Sequence, residues 1–257
     1  MSVYAFGSGQ LWSVPTINLA GTAIVTPTPV LFGALQDVSL DISWSTKELF
    51  GMKQFPLAVA RGTAKITGKA KAAKISATMF NQILGETITP NSEVKTAFQE
   101  GPTAIPTTPF TITVTNSATW GTDLGVINAA TGKPFTRVIS TDTPEAGQYK
   151  VTAGVYTFAS ADNASAISVK ISYTYTASTT GSGKLTINNQ LIGLSPFFKA
   201  VLSTNYQGKF LNVTLNRCMA SKLSLATKLE DFTIPEFDFQ AMVDDSDQIG
   251  DISVSEG

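Results

Sequence analysis

Histidine is absent from all 257 residues. That absence removes Ser-His-Asp and Cys-His triads, His-ligated zinc and the commonest general base together, and so speaks against most hydrolases. The lone cysteine, Cys218, excludes any intrachain disulfide. The opening segment MSVYAFGSGQLW has neither the basic nor the apolar region of a secretion signal. Folding in a reducing cytoplasm is therefore expected, and the sequons Asn163-Ala-Ser and Asn212-Val-Thr read as accidental. No apolar run approaches the roughly 20 residues of a membrane-spanning helix. Charge is also scarce, at 14% of residues, and the net value of -1 gives no general attraction to nucleic acid or anionic membrane.

What is present is polarity carried by Thr, Ser and Asn, a usage that suits strands and turns better than long surface helices. Residues 58–74, AVARGTAKITGKAKAAK, are the most telling stretch. Period-two alternation puts Arg61, Lys65, Lys69 and Lys71 on one face and Ala60, Gly62, Ala64, Ile66, Gly68, Ala70 and Ala72 on the other. Such a ribbon is too long and too poor in large side chains to build a private core, yet long enough to pair edge to edge with another chain. It holds five basic residues and no acid, whereas from Glu230 to the end there are nine acids and no Lys or Arg. Opposite signs on distant segments predict pairing, within a subunit or between subunits. The natural partner is the acidic face of Glu236 and Asp238, on a strand whose reverse carries Phe237 and Phe239.

Alternation dominates elsewhere too, as in Val38-Leu40-Ile42-Trp44 and Leu211-Val213-Leu215, so the fold class is all-β with one short helix. That helix begins near Ser76, buries Met79, Phe80, Ile83 and Leu84, and stops at Gly85. A weaker helical turn is predicted at Ser92–Gln99. The texture changes at GPTAIPTTP (101–109) and again at ASTTGSGK (177–184), both with linker composition. Short strand signals crowd between them, the pattern of a small β-sandwich of about 70 residues, near the lower limit for independent folding. The predicted organisation is a discontinuous core, 1–104 with 181–257, carrying an inserted sandwich at 105–180.

Several motifs dissolve on inspection. Glu236 and Asp238 lie i, i+2 on one strand face and could be paired as glycosidase carboxylates, but the complementary lysines favour an ion-paired surface. Gly181-Ser-Gly-Lys184 lacks the leading glycine and the following Ser or Thr of a phosphate loop. Asp245-Ser-Asp247-Gln-Ile-Gly250 puts Ile249 where a calcium ligand is required. The lysine-rich face has no interleaved aromatics for stacking bases. Neither an enzyme nor a cofactor is expected.

With these segments in view, the chain resembles the tail tube, or major tail, proteins of tailed bacteriophages. The resemblance rests on Lys47-Glu-Leu-Phe-Gly-Met-Lys-Gln-Phe-Pro56, the ribbon Ala58–Lys69 and its following helix, Tyr206-Gln-Gly-Lys-Phe, Leu211–Leu215, and Asp231-Phe-Thr-Ile-Pro-Glu-Phe-Asp-Phe239. It covers the two flanking parts and not the insert. It implies a two-sheet β-sandwich or barrel core with a helix at its side, assembled as hexameric rings that stack into a tube. A long hairpin from each subunit, here residues 58–74 with a partner strand near 36–46, would join a continuous inner barrel through which DNA passes transiently and without sequence preference. The implied partners are further copies and the tape-measure, terminator and baseplate or tip proteins, in a virion tail made in the bacterial cytoplasm. Unpaired lysines along a bore would brake DNA, so the resemblance also implies lysines that are compensated by acids such as Glu236 and Asp238 or lie away from the lumen.

The insert leaves little room for a contractile sheath and points to a long flexible tail. A rival reading makes it an immunoglobulin-like sandwich that decorates the virion or adheres to cell-surface glycans. Phe135, Tyr149, Tyr156, Phe158, Tyr173 and Tyr175 would then form a sugar platform, although such aromatics more often fill a small core.

Overall fold

A computed structural model describes residues 7–255; the first six residues and the last two, Glu256 and Gly257, lie outside it. The protein is mostly β, with 55% strand and 6% helix in several antiparallel sheets, and no sheet closes into a barrel among the described residues. The chain divides into two compact units, 1–88 with 185–257, and 89–184.

The first unit opens with β1 (Gln10–Ile17), β2 (Val30–Phe32), β3 (Leu35–Phe50), β4 (Pro56–Ala72) and α1 (Ala77–Leu84), and β5 (Ile88–Pro90) runs across its boundary. Ser76 caps α1 by accepting the Met79 N–H at 3.2 Å, and Gly85 ends it in the left-handed conformation at φ 70. Met79 and Ile83 are buried and Phe80 and Leu84 pack beside them, as the spacing predicts. The second unit holds β6 (Glu93–Ala104), β7 (Thr111–Thr113), β8 (Trp120–Asn128), β9 (Thr136–Arg137), β10 (Gln148–Thr152), β11 (Val155–Phe158), α2 (Ser160–Ala164) and β12 (Ser168–Ala177). β13 (Gly183–Leu185) pairs with β5 where the chain passes between units. The first unit is completed by β14 (Phe197–Tyr206), β15 (Lys209–Ser224), β16 (Glu236–Met242) and β17 (Gly250–Val254).

One sheet organises the first unit, in the order β2-β1-β14-β15-β16-β4-β3. β15 is long enough to serve two neighbours on one edge, β17 along Leu211–Leu215 and β16 along Arg217–Ser224. Alternation sends Val213, Leu215, Phe237 and Phe239 into a core with Leu11, Phe32 and the buried side of α1. Phe237 is wholly buried and packs its ring 4.8 Å from that of Phe32. Cys218 lies in the same core, and burial pushes its thiol up to about 12. A thiol so protonated and enclosed should resist aromatic disulfide reagents in the native protein and react stoichiometrically in denaturant. Rapid native labelling, followed spectrophotometrically, would contradict this packing.

The second unit combines the sheets β7-β11-β10-β9 and β6-β12-β8, both of which supply residues to one core around Val126, Tyr156, Val169 and Tyr173. Several sequence expectations differ from the structure here. Ser92–Gln99 is no helical turn: Glu93–Ala104 is an edge strand paired along β12, and that pairing overrides local preference. The apparent linker after Gly101 is partly this strand's end, where Pro102 is tolerated because the edge needs no donor. β6 therefore belongs to the second unit, which spans 89–184 where the sequence placed the insert at 105–180. A short second helix, α2, was also not anticipated.

Candidate functional site

β3 and β4 form a hairpin far longer than the sheet that supports it. Their register runs from Leu35 opposite Ala72 to Phe50 opposite Pro56. β16 covers the other edge of β4 only from Ile66 to Lys71. Among the described residues, Pro56–Lys65 has no strand beyond it, and β3 is the last strand of the sheet along its whole length. The distal hairpin thus presents two rows of unpaired backbone groups. Its side chains match: Trp44, Leu49, Phe50, Phe55, Leu57 and Val59 are exposed, and Met52 fully so. Apolar exposure on that scale marks an interaction surface.

The four basic residues do not share one face. Trp44 opposes Ala64 while Thr46 opposes Arg61, so β4 carries an extra residue at Gly62-Thr63 facing Ser45. The Ser45 hydroxyl lies 3.0 Å from that of Thr63, and a Cβ on Gly62 would fall 2.6 Å from the same oxygen. A bulge reverses alternation beyond it. Arg61 is consequently turned to the opposite face from Lys65, Lys69 and Lys71, and its guanidinium stacks over Trp44 at 4.7 Å from the ring centroid.

At the supported end, Glu236 gathers the lysines. Lys69 Nζ lies 2.8 Å from it, Lys222 3.8 Å and Lys71 3.9 Å; Lys71 also meets Asp37 at 3.7 Å. The Lys69 hydrogen bond and the surrounding charges hold the Glu236 carboxyl below its ordinary range, and the same contact raises Lys69. Asp238 stands in register between Lys69 and Lys222 but makes no ion pair with either, and its shielded Oδ1 accepts no hydrogen bond. Lys65 sits opposite Ser43, whose hydroxyl donates to the Lys65 carbonyl at 3.4 Å. The structure therefore brings Lys69, Lys71 and Glu236 together and leaves Arg61, Lys65 and Asp238 out of that cluster.

A second carboxylate was not singled out from sequence. Glu86 accepts the Asn188 backbone N–H at 3.2 Å and the side-chain amides of Asn188 and Gln190, each at 2.9 Å. Those donors depress its carboxyl and pin the segment that follows β13. A carboxyl whose folded value is lowered contributes stability that is fully present above its unfolded value and is lost as pH falls through the folded one. Thermal melts should therefore decline below about pH 4.5, the ordinary value for both glutamates. Glu86→Gln and Glu236→Gln should each lower the neutral melting point and flatten that acid decline. An unchanged acid slope in both variants would assign the pH dependence elsewhere.

In the second unit Tyr149, Tyr156, Phe158 and Tyr173 are buried in the core, with Phe135 and Tyr175 packed against it, so these aromatics do not form an exposed platform. No protein-family model matches this chain, and a search of curated proteins finds no match.

Proposed function

We propose that this chain is the repeating subunit of a bacteriophage tail tube: a structural, non-enzymatic virion protein that closes into hexameric rings and stacks them into the conduit for the genome. The observation that carries the reading is the β3–β4 hairpin, whose distal half has no backbone partner on either outer edge. An open edge of this length invites uncontrolled association unless identical copies satisfy it, and ring closure is the symmetric arrangement that leaves no edge over. In this reading the first unit is the core of the tube wall and the second an immunoglobulin-like insertion. Lys69 and Lys71 are already engaged by acids, which lessens any salt-sensitive grip on passing phosphates. Tape-measure, terminator and tip proteins would be the further partners, in a long flexible tail.

Negative-stain microscopy of the purified chain, concentrated and left to assemble, tests the reading directly. Rings of uniform diameter or hollow filaments are expected. Open ribbons that grow without closing, or amorphous clumps alone, would count against it.

A further inference from the structure

We propose that the second unit carries a binding site for a carboxylated sugar, centred on Trp120 and Arg137. The two residues line an open concavity of about 600 Å³, together with Ile139, Ser140 and Thr152. That volume lies within the usual range for small-ligand sites and would hold a disaccharide. The inference does not rest on the tube reading.

The site is organised from beneath by one buried acid. The Asp123 side chain is only 4% exposed. Its Oδ2 accepts the Tyr149 hydroxyl at 2.6 Å, and its Oδ1 accepts the Tyr156 hydroxyl at 3.0 Å and the Gly125 N–H at 3.1 Å. Burial and this hydrogen-bonded carboxylate push the Tyr149 hydroxyl upward, and burial with the same carboxylate outweighs the opposing Trp120 contact at Tyr156, so both tyrosines remain donors. The Tyr156 oxygen in turn accepts the Trp120 indole N–H at 3.4 Å. Arg137 Nη1 stands 3.6 Å from Asp123 Oδ2.

Three protein donors already satisfy this carboxylate, so Arg137 is not needed to complete its hydrogen bonding. An arginine present only to neutralise a buried charge would be buried with it, yet Arg137 remains 52% exposed. Among the described residues Asp123 is its only charge partner, and a guanidinium has five donors in a fixed fork. The geometry leaves its free edge for an anion, in the bidentate manner that suits a carboxylate. Beside it, the half-buried Trp120, which also packs against the core of the second unit, lines the same concavity as Ser140 and Thr152, a combination of aromatic and hydroxyl-bearing side chains that suits a pyranose ring. Inorganic phosphate could engage the arginine but would leave the indole unused.

The test uses the full chain with ¹⁵N-labelled tryptophan, in which Trp120→Phe identifies the Trp120 signal among the three indoles. A glucuronic acid–glucose disaccharide should shift the Trp120 signal and leave those of Trp12 and Trp44 in place. The neutral disaccharide of two glucoses should bind at least about tenfold more weakly, since it lacks the charge-assisted contact. Arg137→Gln should remove that preference, and Arg137→Lys should fall between. Melting curves check that both variants fold. Equal binding of acidic and neutral sugars, an equal Trp120 shift with inorganic phosphate alone, undiminished binding by a folded Arg137→Gln protein, or no shift with any probe would each overturn the site. Such a failure leaves the microscopy of assembled rings unaffected, so the two proposals fall separately.

Discussion

Joining Ser43 directly to Lys65 through an Asn-Gly turn, and so deleting residues 44–64, is expected to abolish polymerisation while leaving the first unit folded. The two anchor residues are already opposite one another, and a two-residue turn of this kind matches the twist of an antiparallel pair. No residue of the deleted segment belongs to the core of the first unit or packs against it. The segment instead contains the open edges, the bulge at Gly62-Thr63 and the exposed apolar side chains of the tip. Thermal melting should therefore change little. Sedimentation velocity and negative-stain images of the two proteins at matched concentration supply the comparison. Filaments formed by the shortened chain would show that subunits join through some other surface.

The largest effect on stability is expected where β4 crosses β16. Gly68 lies against the Phe239 ring so closely that an added Cβ would stand 2.1 Å from Cζ, 2.4 Å from Cε2 and 2.6 Å from Cε1. The ring cannot readily withdraw: it is buried, with the rings of Phe198 and Phe237 each 6.0 Å away. Gly68→Ala should cost about 1–3 kcal/mol through overpacking. Phe239→Ala should cost about 3–5 kcal/mol through the cavity it leaves. In the double variant the new methyl enters the space the ring vacates, so the combined loss should fall short of the sum by more than about 0.5 kcal/mol. Urea unfolding of the four proteins measures this, and strict additivity would deny that glycine is required here by the ring.

These two predictions draw on different levels of legibility. The strand of Phe237 and Phe239 could be read from alternation alone, because one strand buried on a single face writes its own period into the chain. The helix was equally plain, since its cap, apolar stripe and terminating glycine are local. Arg61 was misplaced because a bulge is a property of two strands in register, and nothing in residues 58–74 announces the extra residue opposite Ser45. Glu93–Ala104 was misread because its partner, β12, lies some seventy residues further along. The Asp123 network was invisible for the same reason: the hydroxyls that hold the carboxylate arrive from β10 and β11, and only their convergence distinguishes Arg137 from any other surface arginine.

β5 and β13 are hydrogen-bonded neighbours, so the polypeptide departs for the second unit and returns from it through one doorway. The entropy of closing such a detour grows only slowly with its length. Selection can therefore exchange, enlarge or discard what is carried there without redrawing the rest of the architecture, and novelty can accumulate at one address while the surrounding framework stays the same.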